Sequence, residues 1–262
     1  MIGFIGGGNM AEALIKGMTA KGMRDIFVSE PREERCAELQ RAYGIKTTAS
    51  NRDVAASCDI IILAVKPQNM EDVLNEIAGD ITDRQMVVSI AAGITLSYLA
   101  AKLKTNLIVR VMPNTPAIVQ EGMSVMSLCG CFYGKELDTV KSMLMSVGRV
   151  LVLPEEQMNA VTALSGSGPG FVALFTEAMI EAGVKLGLSR SDAVEMAVQT
   201  LLGTATLLAN GMSAENLRKM VTSPGGTTAA GLKVFEERDF MGVVADALKA
   251  AQARADELGR RT

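Results

Sequence analysis

The sequence predicts an α/β protein: an N-terminal doubly wound Rossmann sheet followed by an all-helical dimerisation domain. Three observations carry this. Continuously apolar runs such as IIILAV at 60–65 alternate with helical patterns, as buried parallel strands and their crossover helices do. A glycine-rich turn joins the first such run to the first helix. After Pro154 strand signals stop and long helical patterns take over. The expected domains are residues 1–154 and 155–262.

Taken in order, strands are expected at Ile2–Ile5, Ile26–Glu30, Lys46–Thr48, Asp59–Val65, Met86–Ala91 and Leu107–Met112. Ser124–Leu128 and Arg149–Leu153 extend the edge of that sheet. Helical patterns between the first strands include Met10–Lys21 and Arg32–Tyr43. In the second domain Glu155–Leu164 leads to the breaker SGSGPG, and Phe171–Leu186 follows. Ser191–Ala209 comes next, with Ser189 as its cap and Asn210-Gly211 as its stop, then the shorter Ser213–Val221. A further helix begins inside MVTSPGGTTAAGL (220–232), marked by the spacing of Ala229, Leu232 and Phe235. Phe240–Leu258 closes the chain, apolar at 240, 243, 244, 247, 248, 251 and 255. Several of these helices are apolar on more than one face. The domain is therefore expected to bury surface against another subunit, a compact monomeric bundle being the alternative.

Composition narrows the function. The 262 residues are 48% hydrophobic and 21% charged, with a net charge of −3 and no basic face, so nucleic acid is not expected as a partner. The longest apolar stretch, 171–188, is interrupted by Glu177, Glu181 and Lys185, which argues against a membrane span. No signal-peptide pattern precedes the strand-like MIGFIG, so a cytoplasmic location is expected. Cys36, Cys58, Cys129 and Cys131 form no C-x-x-C pair and are read as reduced and structural, with no metal site. The chain has no histidine, which removes every mechanism that needs an imidazole acid, base or ligand.

The chemistry-bearing residues fall at strand and helix ends. Gly6-x-Gly8-x-x-Ala11 follows a strand and opens a helix, the dinucleotide-binding context: Gly6 for the tight turn, Gly8 for the pyrophosphate, Ala11 for close packing. Glu30, 22 residues after Gly8, suits a ribose 2′-hydroxyl, whereas Arg32 suits a 2′-phosphate; both also read as solvated charges at a helix start. Lys66, in the Val65-Lys66-Pro67 loop, is either a proton donor or a lysine pointing to solvent from a backbone turn. Asn114, between Pro113 and Pro116, either positions nicotinamide or belongs to a rigid turn. In SPGGTT, Ser223, Thr227 and Thr228 offer hydroxyls, and Gly225 and Gly226 let amides approach a ligand at a helix start. An ordinary capped helix is the plainer reading, a carboxylate or phosphate site the other.

FIGGGNMA, LAVKPQ, SIAAGI, RVMPNTP, ALSGSGPGFV and VTSPGGTTAAGLKVFE occur in this order, from the first strand to the final helices. Together they closely resemble the pyrroline-5-carboxylate reductase family. The resemblance implies reduction of Δ1-pyrroline-5-carboxylate to L-proline with NADPH or NADH, the last step of proline synthesis. It further implies a homodimer with active sites formed across two subunits, in some cases assembled into a larger homo-oligomer. By position, Gly6, Gly8, Asn9 and Met10 would touch the nucleotide, and Glu30, Arg32 and Asn51 its adenosine end. Val65, Lys66 and Ala92 would line the path to the nicotinamide. The substrate carboxylate would sit on Ser223, Gly226, Thr227 and Thr228, with Thr228 hydrogen-bonding the ring nitrogen as the catalytic group. Met220 stands where some relatives carry Asn, and Glu30 where several carry a small polar residue. Two other readings compete: a β-hydroxy-acid-type dehydrogenase using Lys185, and a non-catalytic nucleotide-binding sensor or scaffold.

Overall fold

Alternating strands and helices bring the strand ends to one edge of a single sheet. The computed structural model describes residues 1–130 and 134–259. Strand and helix alternate as β1 (Ile2–Ile5), α1 (Asn9–Ala20), β2 (Ile26–Ser29), α2 (Glu33–Tyr43), β3 (Lys46–Thr48) and α3 (Asn51–Ser57). They continue as β4 (Ile60–Leu63), α4 (Met70–Ile77), β5 (Met86–Ser89), α5 (Leu96–Lys102) and β6 (Ile108–Met112). β7 (Gly122–Leu128), α6 (Lys135–Met145) and β8 (Gly148–Val152) complete the sheet, in the order β3-β2-β1-β4-β5-β6-β7-β8.

Every neighbouring pair is parallel except β6 and β7. The exception follows from chain length. Only a short 3₁₀ turn, Thr115–Val119, links β6 to β7, too little for a crossover, so β7 returns antiparallel. α6 then spans the sheet face and makes β8 parallel to β7.

The central strands β1, β4 and β5 are buried on both faces, which is why they read as unbroken apolar runs, whereas the edge strands β3 and β8 are not. Alternate residues go to opposite layers. Phe4, Ile60, Ile62 and Val88 pack with Leu14 and Ile15 of α1 and Leu144 of α6. Ile5, Ile61, Leu63 and Val87 pack with Val54 of α3, Leu74 of α4 and Leu99 of α5. Each such side chain contributes about 1.5–3 kcal/mol by leaving water.

Past the sheet, a 3₁₀ turn (Glu155–Gln157) leads into α7 (Met158–Val161) and a π turn, Thr162–Gly166. The expected break at SGSGPG is thus largely a change of helix type. The amide of Ser167 bonds to the Thr162 carbonyl at 2.8 Å, and α8 (Gly168–Lys185) starts at once, with Pro169 tolerated in its first turn. α9 (Arg190–Ala209), α10 (Ala214–Met220), α11 (Thr227–Glu237) and α12 (Phe240–Gly259) follow. Ser189 caps α9 through the Asp192 amide and Ser213 caps α10 through that of Asn216.

Two compact units result: Met1–Ser167 with Ala250–Thr262, and Gly168–Lys249. The stretch 155–167 is held in the sheet unit by a part-buried polar network. Arg110 of β6, 5% exposed, donates to Glu155 at 3.1 Å and to Asn159 at 3.2 Å, and Asn159 donates to Asp256 of α12 at 2.5 Å. Glu155 also accepts the Leu96 amide at 2.7 Å, at the start of α5. In the other unit Phe240 lies against Phe175 and Phe235, with ring centroids 6.3 and 5.1 Å away. Among the described residues Cys36, Cys58 and Cys129 are free thiols and no acidic, cysteine or histidine cluster suits a metal; Cys131 lies outside them. Among them, too, no helix is long and apolar enough to cross a membrane.

Candidate active site

The order reverses between β1 and β4, the switch point where open α/β sheets bind ligands beyond their carboxyl ends. β1, β4, β5 and β6 are parallel neighbours, so the segments after them leave one edge of the sheet together. Those segments carry Gly6–Met10, Val65 and Lys66, Ala92, and Asn114.

Gly6 has φ +100°, and a Cβ there would lie 2.8 Å from the Ala64 carbonyl oxygen, so only glycine lets β1 turn against β4. Gly8 precedes α1 in extended geometry without a side-chain cap, and nothing lies within 4 Å of where its Cβ would be. The first bond of α1 runs from the Glu12 amide to the Gly8 carbonyl, which leaves the amides of Asn9, Met10 and Ala11 with no intrahelical acceptor. Open backbone, amides without intrahelical acceptors and the positive end of a 12-residue helix make a cradle of the kind that suits a phosphate. Ala11 is fully buried against the sheet.

At the end of β2 the carboxylate of Glu30 is buried. It accepts the Gly7 amide at 3.0 Å and the Arg32 amide at 3.1 Å. Arg32 grips both oxygens, Nε to Oε1 at 2.8 Å and Nη2 to Oε2 at 3.2 Å. Burial alone pushes this carboxyl's pKa up, but the hydrogen bonds from Arg32 and Gly7 outweigh it and hold the group below its ordinary range. Asn51, at the start of α3, accepts from Ser29 at 2.8 Å and donates to Glu76 at 2.7 Å. Sequence reasoning did not pick out Arg35. Its Nε donates to the Gly7 carbonyl at 2.8 Å while its other nitrogens meet Glu12 and Glu38, so it braces the glycine loop from α2.

Lys66 is exposed, opening a 3₁₀ turn at Pro67. Asn114 is used at both ends of its amide: Oδ1 accepts from Met123 at 2.8 Å, and Nδ2 donates to the Ser165 carbonyl at 3.2 Å. It ties the β6 end to β7 and to the π turn. That role had no sequence signal, since its partners lie 9 and 51 residues away.

The remaining predicted residues gather in the helical unit, at the start of α11. Gly225 has φ +69° and turns the chain, and the Gly226 amide bonds to the Ser223 carbonyl at 3.0 Å. The first intrahelical bond of α11 joins the Ala230 amide to the Gly226 carbonyl, so the amides of Thr227, Thr228 and Ala229 have no intrahelical acceptor. No side chain caps this end and no acidic residue lies in its first turn. Thr228 is half-buried; Ser223 and Thr227 are exposed.

A parallel sheet with this switch point and this cradle defines a Rossmann-type, nicotinamide-dinucleotide oxidoreductase. Family models divide the chain accordingly. Residues 1–93 match "NADP oxidoreductase coenzyme F420-dependent", and 155–258 match "Pyrroline-5-carboxylate reductase dimerisation". A pyrroline-5-carboxylate reductase of Synechocystis is 39% identical over 264 aligned positions, covering 99% of this chain and 98% of that protein. The solved pyrroline-5-carboxylate reductase of Coxiella burnetii superposes with TM-score 0.90 at 36% identity, covering 98% of this chain and 97% of that one. The Plasmodium falciparum pyrroline carboxylate reductase, solved with NADP bound, gives 0.88 at 32% identity, covering 98% and 97%. This chain belongs to the pyrroline-5-carboxylate reductase family.

Proposed function

We propose that this protein reduces Δ1-pyrroline-5-carboxylate to L-proline with NAD(P)H, closing proline biosynthesis. Membership of the family supports the reaction. The observation that carries the substrate half is the start of α11, with three amides lacking intrahelical acceptors, two threonines and no carboxylate in the first turn. Such an end attracts an anion of the substrate's kind.

In this reading the amides after Gly8 and at Asn9 and Met10 hold the pyrophosphate, and Glu30, Arg32 and Asn51 meet the adenosine end. Val65, Lys66, Ala92 and Asn114 shape the nicotinamide end, Asn114 through the loop it pins. A nicotinamide held there would supply a hydride to the carbon of the C=N bond; with the imine already protonated on nitrogen, the π electrons would become the lone pair of the product amine and no further proton is needed. Ser223, Gly226, Thr227 and Thr228 orient the carboxylate, and the Thr228 hydroxyl hydrogen-bonds the ring nitrogen. A cyclic imine is protonated readily near neutral pH, so the protein's task is orientation more than strong acid catalysis. A chain without histidine suffices for that.

Functionally we divide the chain at 154/155, nucleotide binding before and substrate binding with dimerisation after. The working form is a homodimer, alone or within a larger homo-oligomer, in the cytoplasm, where its thiols stay reduced.

The direct test is turnover. Purified protein with pyrroline-5-carboxylate and NADPH or NADH should consume the reduced cofactor and form proline; consumption with neither rejects the proposal. Nucleotide binding without any turnover would favour the sensor reading instead.

A further inference from the structure

The end of β2 bears on which dinucleotide the protein uses, and the inference rests on the nucleotide-binding reading above. Glu30 is 5% exposed and fixed from three directions: the Gly7 amide, the Arg32 amide and the Arg32 guanidinium. One of these anchors is the glycine loop itself, so the carboxylate cannot leave without disturbing the phosphate cradle. The surrounding charge is unfavourable to another anion. The two arginines that follow β2 are already engaged, Arg32 by Glu30 and Arg35 by Glu12 and Glu38. Glu33 and Glu34 add two more carboxylates in the first turn of α2.

A ribose diol and a ribose phosphate present opposite chemistry to such a group. A 2′-hydroxyl donates a hydrogen bond and can replace those that the exposed Arg32 side chain now makes. A 2′-phosphate brings about two negative charges and acceptors only. Against a desolvated carboxylate it meets like-charge repulsion, weakly screened because the group is buried.

We propose that Glu30 sets the cofactor preference of this protein: it receives the 2′-hydroxyl of NADH and disfavours the 2′-phosphate of NADPH, with Arg32 covering the carboxylate until the ribose arrives. Arg32 is then a cover and not a phosphate ligand. Recruiting it to a phosphate would strip Glu30 of its guanidinium beside a second anion.

Titration calorimetry of the full-length protein with NAD⁺ and NADP⁺, at one fixed ionic strength, tests this without any variant. NAD⁺ should bind about tenfold tighter or better, and kcat/KM for NADH over NADPH should follow the same direction. Glu30→Ser should move the ratio of dissociation constants toward NADP⁺ by about tenfold, because it removes the repelling charge and releases Arg32. Glu30→Asp, which keeps the charge, should keep the preference.

Equal or tighter binding of NADP⁺ by the wild type overturns the assignment, as does a ratio unmoved in Glu30→Ser. Those results leave the nucleotide-binding reading intact. Binding of neither dinucleotide overturns both.

Discussion

The sheet unit and the helical unit solve the burial problem in opposite ways. In the first, the strands β1, β4 and β5 are buried at every position and two apolar layers close over them. In the second, α8, α10 and α11 bury no residue at all and α9 buries only Ala193 and Ala197. Yet α8 and α9 are rich in apolar side chains: Leu174 is 66% exposed, Met196 56% and Leu202 59%. One unit carries its own core; the other needs something laid over it. So many exposed apolar side chains suit an interface, and the proposed second copy of the chain is what would cover them.

The largest expected effect breaks this contrast at the helices. Leu202→Arg changes a residue that already faces water in the single chain, where such a change normally costs within about 0.5 kcal/mol. If a second copy covers the face, the charge is instead buried without a partner. Assembly should then fail and turnover drop by about a hundredfold or more. Sedimentation velocity and the NAD(P)H assay check both; a variant of unchanged mass and activity would show that Leu202 lies outside the interface. Next comes the sheet. Ile62→Ala, at a site with no exposure, should cost about 2–4 kcal/mol in denaturant unfolding while the folded fraction keeps its oligomeric mass. Loss of assembly without loss of stability would reverse the assignment of the two units.

The start of α11 sharpens the comparison functionally. Thr228→Ala should lower kcat/KM by roughly one to three orders of magnitude, the scale of one transition-state hydrogen bond, with assembly and nucleotide affinity unchanged. Unchanged kinetics would remove Thr228 from the mechanism and leave the carboxylate assignment to the amides.

The same contrast governs what the sequence revealed. The sheet was legible because two-sided burial writes itself as continuous apolar runs, and all eight expected strands are present. Their ends were overrun where the chain stays apolar after leaving the sheet. Ala64 and Val65 continue the run of β4, yet they belong to the loop beside Gly6. The direction of β7 was not legible, since it depends on how far a five-residue turn can carry the chain. The glycine cradle and Glu30 were visible because their spacing is short and their chemistry local. The Arg110–Glu155–Asn159–Asp256 network was not, because its bonds span 45, 49 and 97 residues and nothing in one strand announces a partner in the last helix. In the helical unit the helices themselves were expected, but apolar residues on several faces say only that burial occurs, not against what.

The smallest expected effect compares one ion pair from each unit. Glu12 of α1 sits against Arg35 at 2.5 Å, with side chains 34% and 16% exposed. The Arg35 guanidinium, helped by the Tyr43 hydroxyl, holds the Glu12 carboxyl below its usual range despite partial burial. A folded-state pKa below the unfolded value means the pair stabilises above the unfolded carboxylate pKa, about 4.3, and that contribution disappears as pH falls through the folded value. Glu12→Gln should therefore cost about 0.5–1 kcal/mol at pH 7 after allowance for solvent screening, and the gap between wild type and variant should close on acidification below about pH 4. Glu181 and Arg190 form a comparable pair in the helical unit, but at 46% and 62% exposure both ends remain in water. Glu181→Gln should leave the unfolding midpoint unchanged at either pH. A measurable, pH-dependent loss there would mean that this pair is shielded from solvent in the assembled protein, extending the covered surface to the α8–α9 turn.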